Sequence, residues 1–263
     1  MNLGIGLGVN SSQTRFDPTS LFSGGLKGFI SDPTRLSSLF QDNAGTTPVT
    51  TVGQTIGLRK DISGNAWDVL QATAGNRPTY QVDGNGRPYI SYTSTKSLAS
   101  AAFDLSAKGS FTLVMGLYKN ADTFIGWPLE FGTDVSTTPG FAVRVPWTTA
   151  ITTVGAQYRG ATATVSSTQV DVGAAPKSVV IALTFNLTAS QINIWVNGVQ
   201  AAQVATATGG GTFGSGVLTI GTRTAGTQGF NGREYRSLGI EGVLSAADIA
   251  RVTEWANINT GAF

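Results

Sequence analysis

The fold is decided by residues 191–204, which read QINIWVNGVQAAQV. Polar and apolar residues alternate from Gln191 to Val196, which is typical of a strand with one buried face. Asn197-Gly198 follows at once, and a second run with strand character begins at Val199. Both central residues of a type I′ turn need a positive φ, which Asn and Gly tolerate best. The stretch therefore predicts a tight antiparallel hairpin.

Further strand patterns lie on both sides of this hairpin. Apolar or alternating runs, many rich in β-branched residues, occupy residues 111–118, 178–185, 217–221 and 235–240, and such runs indicate strands. The 34 glycines fit many tight turns between them. One helix is predicted over residues 245–257, because Ser245 can cap its first turn. The chain is therefore predicted to be mostly β, with a short C-terminal helix.

The order of short motifs in the C-terminal third resembles concanavalin A-like or laminin-G-like jelly rolls. Those domains carry a W-V-N-G hairpin, then an I-G and F-N-G strand pair, then a terminal L-S helical turn. The matching residues here are Trp195 to Gly198, Ile220-Gly221, Phe230 to Gly232 and Leu244-Ser245. The resemblance implies a jelly-roll sandwich of two antiparallel sheets. Lectins, glycan-binding modules, glucanases and adhesive domains share this fold, so the fold alone leaves the function open.

The composition excludes several classes of function. Charged residues make up 12% of the chain, about half of the usual ~25%. The net charge is only +2 and no run of Lys and Arg occurs, so nucleic-acid binding is not expected. No apolar run approaches the ~20 residues of a membrane-spanning helix. The chain is therefore predicted to bind no nucleic acid and to lack a membrane span.

The sequence contains no His and no Cys. The absence of His removes the Ser-His-Asp triad and most zinc chemistry. The absence of Cys removes disulfides, thiol nucleophiles and cysteine metal sites. We therefore expect no cofactor, apart from the calcium site considered below.

The first ten residues alternate aliphatic side chains with glycines. Leu3, Ile5, Leu7 and Val9 would share one face of a strand, and the glycines would form the other face. One interpretation is a flexible or edge segment. The other is an arm that docks on the sheet of a neighbouring subunit. The second interpretation makes these four side chains candidate docking residues.

The N-terminal part resembles accessory virion proteins of tailed bacteriophages, which carry a laminin-G-like domain in a head or tail component. The motifs are SDPTRLSSLFQDNAGTTPVT at residues 31–50, DISGN at 61–65 and RPTY at 77–80. The resemblance implies a virion protein made in the host bacterial cytoplasm and present in several copies or as a homo-oligomer. Its division would be an attachment segment at residues 1–40 and a jelly-roll domain at 41–263.

Catalysis by a glucanase of this fold needs carboxylates in a Glu-x-Asp-x-Glu pattern along one strand, so that an acid and a nucleophile flank the glycosidic bond. The sequence has no such triplet. The nearest acidic pair is Glu130 and Asp134, and Gly132-Thr133 between them predicts a turn. The chain is therefore predicted not to be an enzyme, with a glycoside hydrolase as a remote alternative.

Two further candidate sites rest on local patterns. Asp61, Ser63 and Asn65 place oxygen atoms at alternate positions, as a calcium loop would, although the glycine and distal Glu of an EF-hand are missing. The alternative is an Asx-stabilised turn without metal. Trp127 and Trp147 each adjoin a proline in loop-like sequence and could stack on sugar rings, the alternative being a core or subunit contact.

Two compatible functions follow from these patterns. The first is a non-enzymatic virion accessory protein, in a capsid decoration, collar, fibre or tail, attached to other virion proteins through its N-terminal arm. The second is a glycan-binding adhesin module that recognises a polysaccharide of the host surface.

Overall fold

The computed structural model describes residues 16–93, 95–162, 165–205 and 210–263. These residues form a mostly β sandwich of two large antiparallel sheets with one C-terminal helix, which confirms the predicted fold class. The candidate docking residues Leu3, Ile5, Leu7 and Val9 lie outside the described residues. The docking arm therefore stays a prediction.

Sheet 1 contains the predicted hairpin and the longest strands. With strands numbered along the chain, its spatial order is β16 (Val199–Ala205), β15 (Gln191–Val196), β14 (Lys177–Asn186), β9 (Ser110–Lys119), β19 (Gly232–Glu241), β6 (Pro88–Tyr92) and β5 (Thr79–Val82). An eighth strand, β1 (Gly28–Ser31), also pairs with β19. Long paired strands give this sheet a regular backbone ladder, in which β14 and β9 pair over their full lengths.

Sheet 2 packs face to face with sheet 1. Its spatial order is β13 (Ser166–Asp171), β12 (Thr153–Arg159), β11 (Gly140–Arg144), β10 (Leu129–Phe131), β18 (Leu218–Ile220), β7 (Leu98–Ser100), β4 (Val69–Leu70), β3 (Leu58–Arg59) and β2 (Leu39–Phe40). A separate short pair joins β8 (Phe103–Asp104) to β17 (Ser215–Gly216). Single-turn 3-10 helices occupy Pro18–Phe22, Leu36–Ser38 and Ala74–Asn76.

The hairpin between β15 and β16 has the predicted turn. Asn197 has φ of 51° and Gly198 has φ of 81°, the positive values that a type I′ turn requires. The Asn197 side chain also ties the turn to the next strand, because its Oδ1 accepts a hydrogen bond from the Val180 N–H at 2.9 Å. The turn chemistry thus fixes both the hairpin and its position against β14.

The helix α1 (Ala246–Thr260) covers the outer face of sheet 1. Ser245 caps it by accepting a hydrogen bond from the Asp248 N–H, as the sequence predicts, and the helix runs three residues beyond the predicted end. Val252 and Trp255 pack on Val180 and Leu238 of the sheet. α1 therefore buries the outer face of sheet 1.

A row of aromatic rings runs through the aliphatic core between the sheets. Trp67 stacks on Phe103 at 3.7 Å between ring centroids, and Phe103 stacks on Phe131 at 5.0 Å. Phe141 continues the row to Phe185 at 5.1 Å. Such pairs add to the apolar burial that holds the two sheets together.

Part of the predicted attachment segment belongs to the sandwich. β1 pairs with β19 in sheet 1, and β2 pairs with β3 in sheet 2. Residues 28–40 therefore contribute to both sheets, and the attachment role stays a prediction for the residues before them. Among the described residues, no helix is both long and apolar enough to cross a membrane.

Candidate functional site

Four connections meet at one end of the sandwich and form an open pocket. They are the segments around Thr93, residues 120–128, residues 145–152 and residues 223–231, each of which links two strands. The pocket has a volume of about 550 Å³, which lies in the range of small-molecule sites. Loops held by a rigid sandwich are the usual place for binding residues.

Phe124 is the most exposed apolar residue of this pocket. Its side chain is 78% exposed, the highest value among the large hydrophobic residues described. Thr93, Thr123, Gln228 and Asn231 supply hydroxyl and amide groups to the lining. The Oδ1 of Asn231 accepts a hydrogen bond from Asn120 at 3.0 Å, which fixes the amide and leaves its N–H groups available. The pocket thus pairs an exposed aromatic ring with neutral polar groups.

Trp127 does not offer a ring to a ligand, so the sugar-stacking prediction for this residue is wrong. Its side chain is only 1% exposed and packs with Val135 and Ala142 on the outer face of sheet 2. Pro128 leads directly into β10, so the proline that suggested an exposed loop instead introduces a strand. The Trp127 Nε1–H is buried without a hydrogen-bond partner among the described residues.

Trp147 is half-buried, and its ring is also occupied by protein contacts. A Cβ placed on Gly155 would lie 2.0 Å from Cε3 of Trp147, so the indole packs directly on the backbone of β12. The guanidinium of Arg144 lies over the same ring at 4.4 Å from its centroid. Sugar stacking on Trp147 is therefore not what this geometry provides, and the ring instead supports Arg144.

Arg144 is the unusual residue of the outer face of sheet 2. Its Cζ lies 4.4 Å from the ring centroids of both Trp127 and Trp147. No hydrogen bond or ion pair joins its guanidinium to another described residue, and its Nε is buried without a partner. The two terminal nitrogens are not among the buried unpartnered atoms, so they reach solvent. The indoles therefore hold a guanidinium whose outer N–H groups are free.

The charges around Arg144 are unevenly paired. Arg223 also lies over Trp127, and it forms an ion pair with Asp134 at 2.5 Å. Burial and the neighbouring Arg223 lower the pKa of Arg144, whereas Glu130 and Asp134 act in the opposite direction. Arg223 therefore has a carboxylate of its own, while Arg144 has none in contact.

Glu130 and Asp134, the nearest acidic pair of the sequence, are both held by protein groups. Glu130 is fully buried, and its two oxygens accept hydrogen bonds from the backbone N–H groups of Val135 and Thr224 at 3.2 and 2.7 Å. Asp134 is held by Arg223. Both carboxylates therefore fix loops, and neither lines the pocket.

The candidate calcium residues form the Asx-stabilised turn instead. Asp61 Oδ1 accepts hydrogen bonds from the Ile30 and Ser63 N–H groups at 2.9 and 2.8 Å. Asp61 Oδ2 accepts from Ser63 Oγ and from the Trp67 N–H, and Asn65 Nδ2 donates to Ser63 Oγ. Protein donors thus occupy both carboxylate oxygens of Asp61 and the Ser63 hydroxyl. No group of three or more His, Cys, Asp or Glu suited to a metal ion occurs among the described residues.

Sequence patterns did not single out the two residues that stand out in the structure. Phe124 sits in a short loop with no periodicity, and its exposure depends on how four distant segments meet. Arg144 ends a strand, and its partners Trp127 and Trp147 come from different connections. The only signal was the presence of two Trp-Pro or Pro-Trp pairs near one arginine.

The fold is shared with solved lectin-like structures. The binding domain of botulinum neurotoxin serotype G matches at a TM-score of 0.50 with 12% identity, covering 76% of this chain and 51% of that one. The heptameric SAP-like pentraxin of Limulus polyphemus also matches at 0.50 with 12% identity, covering 63% and 81%. Both likenesses place the chain in the jelly-roll, concanavalin A-like class.

A third solved structure is the CBM40 module of Ruminococcus gnavus IT-sialidase bound to α2,3-sialyllactose. It matches at a TM-score of 0.48 with 19% identity, covering 63% of this chain and 96% of that one. No family model matches the chain, and no curated protein matches it.

Proposed function

We propose that this chain is a non-enzymatic glycan-binding module whose sugar site is the open pocket at one end of the sandwich, which Phe124 lines. The observation that carries the proposal is Phe124, which exposes 78% of its side chain at a pocket lined with amide and hydroxyl groups. A concave pocket that combines apolar lining with a few convergent polar groups is typical of a binding site. The lectin-like fold supports the same class of ligand.

Sugar rings match this combination of groups. A pyranose has an apolar C–H face that can pack on an aromatic ring and a rim of hydroxyls that form hydrogen bonds. Phe124 offers the aromatic surface, and Asn231, Gln228 and Thr123 offer donors and acceptors around it. Burial of the Phe124 ring is worth roughly 1.5–3 kcal/mol if it is complete.

The pocket is suited to binding and not to hydrolysis. Glycosidases use two carboxyl groups that flank the scissile bond. None of the described residues that line this pocket carries a charge. The module would therefore hold a glycan without cleaving it.

Screening against a glycan array, followed by calorimetry on the best ligand, tests this function. Phe124→Ala should weaken binding by about tenfold or more, because roughly 1.4 kcal/mol corresponds to a factor of ten. Phe263→Ala is the matched control, since Phe263 is also an exposed aromatic at 55% and lies outside the pocket lining. Equal affinities of wild type and Phe124→Ala would refute the site, and the release of shorter sugars would refute the non-enzymatic role.

We also propose that the module is carried on a virion, as the resemblance to phage accessory proteins at residues 31–50 implies. The motif at residues 31–50 supports this proposal. Within that segment Asp32 pairs with Arg236 of β19 at 3.1 Å, and its Oδ1 accepts hydrogen bonds from Thr34. These contacts give the motif a role in folding, so the attachment function falls on residues before it.

Mass spectrometry of density-purified particles from a producing culture tests the virion role. The chain should co-purify with particles in several copies. Deleting residues 1–10 should abolish incorporation while leaving the melting temperature of the sandwich nearly unchanged. Full incorporation of the truncated chain would show that the arm is not the anchor, and absence of the intact chain from particles would refute the virion role.

A further inference from the structure

We propose that Arg144 binds a carboxylate or sulfate group, so that the module selects acidic glycans. The inference rests on the proposed glycan-binding function and specifies its ligand class. It starts from the contrast between a guanidinium held firmly by two indole rings and the absence of any hydrogen-bond partner for that guanidinium among the described residues.

The guanidinium of Arg144 is held in a fixed position by two indole rings. The guanidinium lies at 4.4 Å from the centroids of Trp127 and Trp147, and Trp147 in turn rests on the backbone at Gly155. A flexible arginine loses side-chain entropy when it is fixed in this way. Cation–π contacts offset part of that cost. The side chain is therefore preorganised before any ligand arrives.

The N–H groups of the Arg144 guanidinium have no acceptor among the described residues. The terminal nitrogens of Arg144 reach solvent and donate to no described residue, while Nε is buried and unpartnered. The planar fork of a guanidinium matches the two oxygens of a carboxylate or sulfate, and such charge-assisted pairs are the strong class of hydrogen bond. A lysine could not present the same pair of parallel donors.

The carboxylates near Arg144 are paired with other groups of the protein. Glu130 and Asp134 are the nearby carboxylates, and Arg223 pairs with both, at 4.0 and 2.5 Å. Glu130 is further satisfied by two backbone N–H groups. These acids therefore have donors of their own, whereas Arg144 has no acid in contact.

The cluster around Arg144 adjoins the sugar pocket. Ile125 lines the pocket and also packs on the cluster that contains Trp127. Val145 and Pro146, the two residues after Arg144, line the pocket as well. Because Val145 packs in the core between the sheets, on the opposite face of the strand from Arg144, the pocket and the Arg144 cluster adjoin each other through Ile125. A glycan chain that crosses Ile125 would place a neutral ring at Phe124 and an acidic group at Arg144.

The test compares three soluble polysaccharides with the intact chain: dextran as the neutral ligand, polygalacturonate as the carboxylate and dextran sulfate as the sulfate. The wild type should bind at least one acidic polymer about tenfold more tightly than dextran, since charge-assisted hydrogen bonds are stronger than neutral ones. Arg144→Gln should remove that preference, and Arg144→Lys should restore only part of it. The two acidic polymers distinguish a carboxylate from a sulfate ligand.

Arg251→Gln is the matched control, because Arg251 is 57% exposed on α1, on the opposite side of the sandwich. An equal loss in Arg251→Gln, or an unchanged preference in Arg144→Gln, would overturn the inference. Phe124→Ala separates the two proposals: it should weaken neutral and acidic glycans together. Tight binding of neutral glycans that Arg144→Gln leaves unchanged, without preference for acids, would refute the acidic ligand and leave the glycan-binding function standing. Failure of every glycan would refute both.

Discussion

Two arginine clusters of this sandwich differ in how completely their polar atoms are paired. In the core, Arg59 NH1 donates to both oxygens of Glu234 at 2.9 Å, and Tyr92 and Ser237 donate to the same carboxylate. On the outer face of sheet 2, Arg144 has ring contacts and no hydrogen bond among the described residues. The first cluster is buried and fully paired, whereas the second is partly buried and its guanidinium has no protein acceptor.

This difference distinguishes a charged group that stabilises the fold from one that can bind a ligand. Leaving a buried donor unpaired costs free energy, so a folding role favours a closed network such as that of Glu234. The core pair also joins β3 of sheet 2 to β19 of sheet 1, which gives it a clear structural purpose. In the proposal, the incomplete cluster next to the pocket is completed by a group of the ligand.

The largest expected effect is on the core cluster. Glu234→Ala leaves Arg59, which is 4% exposed, as an uncompensated buried charge. Breaking such a pair from one side costs about 3–5 kcal/mol. Denaturant unfolding should show this loss of stability. A change below 1 kcal/mol would contradict the structural role and weaken the contrast between the clusters.

The core cluster also perturbs Tyr92. Burial, with a further contribution from the Glu234 charge, raises the pKa of Tyr92 well above its usual value. The hydroxyl therefore stays protonated and keeps donating to Glu234. Both oxygens of the Glu234 carboxylate therefore keep their donors.

The next effect concerns the support of Arg144. Gly155→Ala would place a Cβ 2.0 Å from Trp147 Cε3 and push the indole away from β12. Because Trp147 holds Arg144, the preference for acidic glycans should fall about tenfold, a change of roughly 1.4 kcal/mol. Gly84→Ala is the control, since no atom lies within 4 Å of its added Cβ. Retained preference in Gly155→Ala would show that the indole does not position the guanidinium.

The smallest expected effect is on the stability of the outer cluster. Arg144→Gln removes cation–π contacts and no hydrogen bond to the described residues, so the unfolding free energy should change by about 1 kcal/mol or less. Thermal unfolding of the ligand-free protein measures this. A loss as large as that of Glu234→Ala would mean that Arg144 is a folding residue and not a ligand group.

The sequence predicts much of the fold because local chemistry specifies it. The Asn197-Gly198 turn, the alternation around it and the Ser245 cap are each set by neighbouring residues, and each is present. The sites depend on distant segments. Whether Trp127 is exposed depends on loop packing over sheet 2, and Asp61 appears calcium-like until the donors of Ile30 and Trp67 are brought to it. Such partners cannot be found from spacing along the chain.

We propose above that the unpartnered cluster around Arg144 marks the ligand surface. The most direct measurement is a ¹H–¹⁵N spectrum of the five tryptophan indoles during titration with oligogalacturonate, or with a sulfated oligosaccharide if that is the preferred acid. The signals of Trp127 and Trp147 should shift with ligand, and those of Trp67, Trp195 and Trp255 should stay in place. Binding accompanied by shifts only in the latter three, or by no shift at Trp127 and Trp147, would contradict the account.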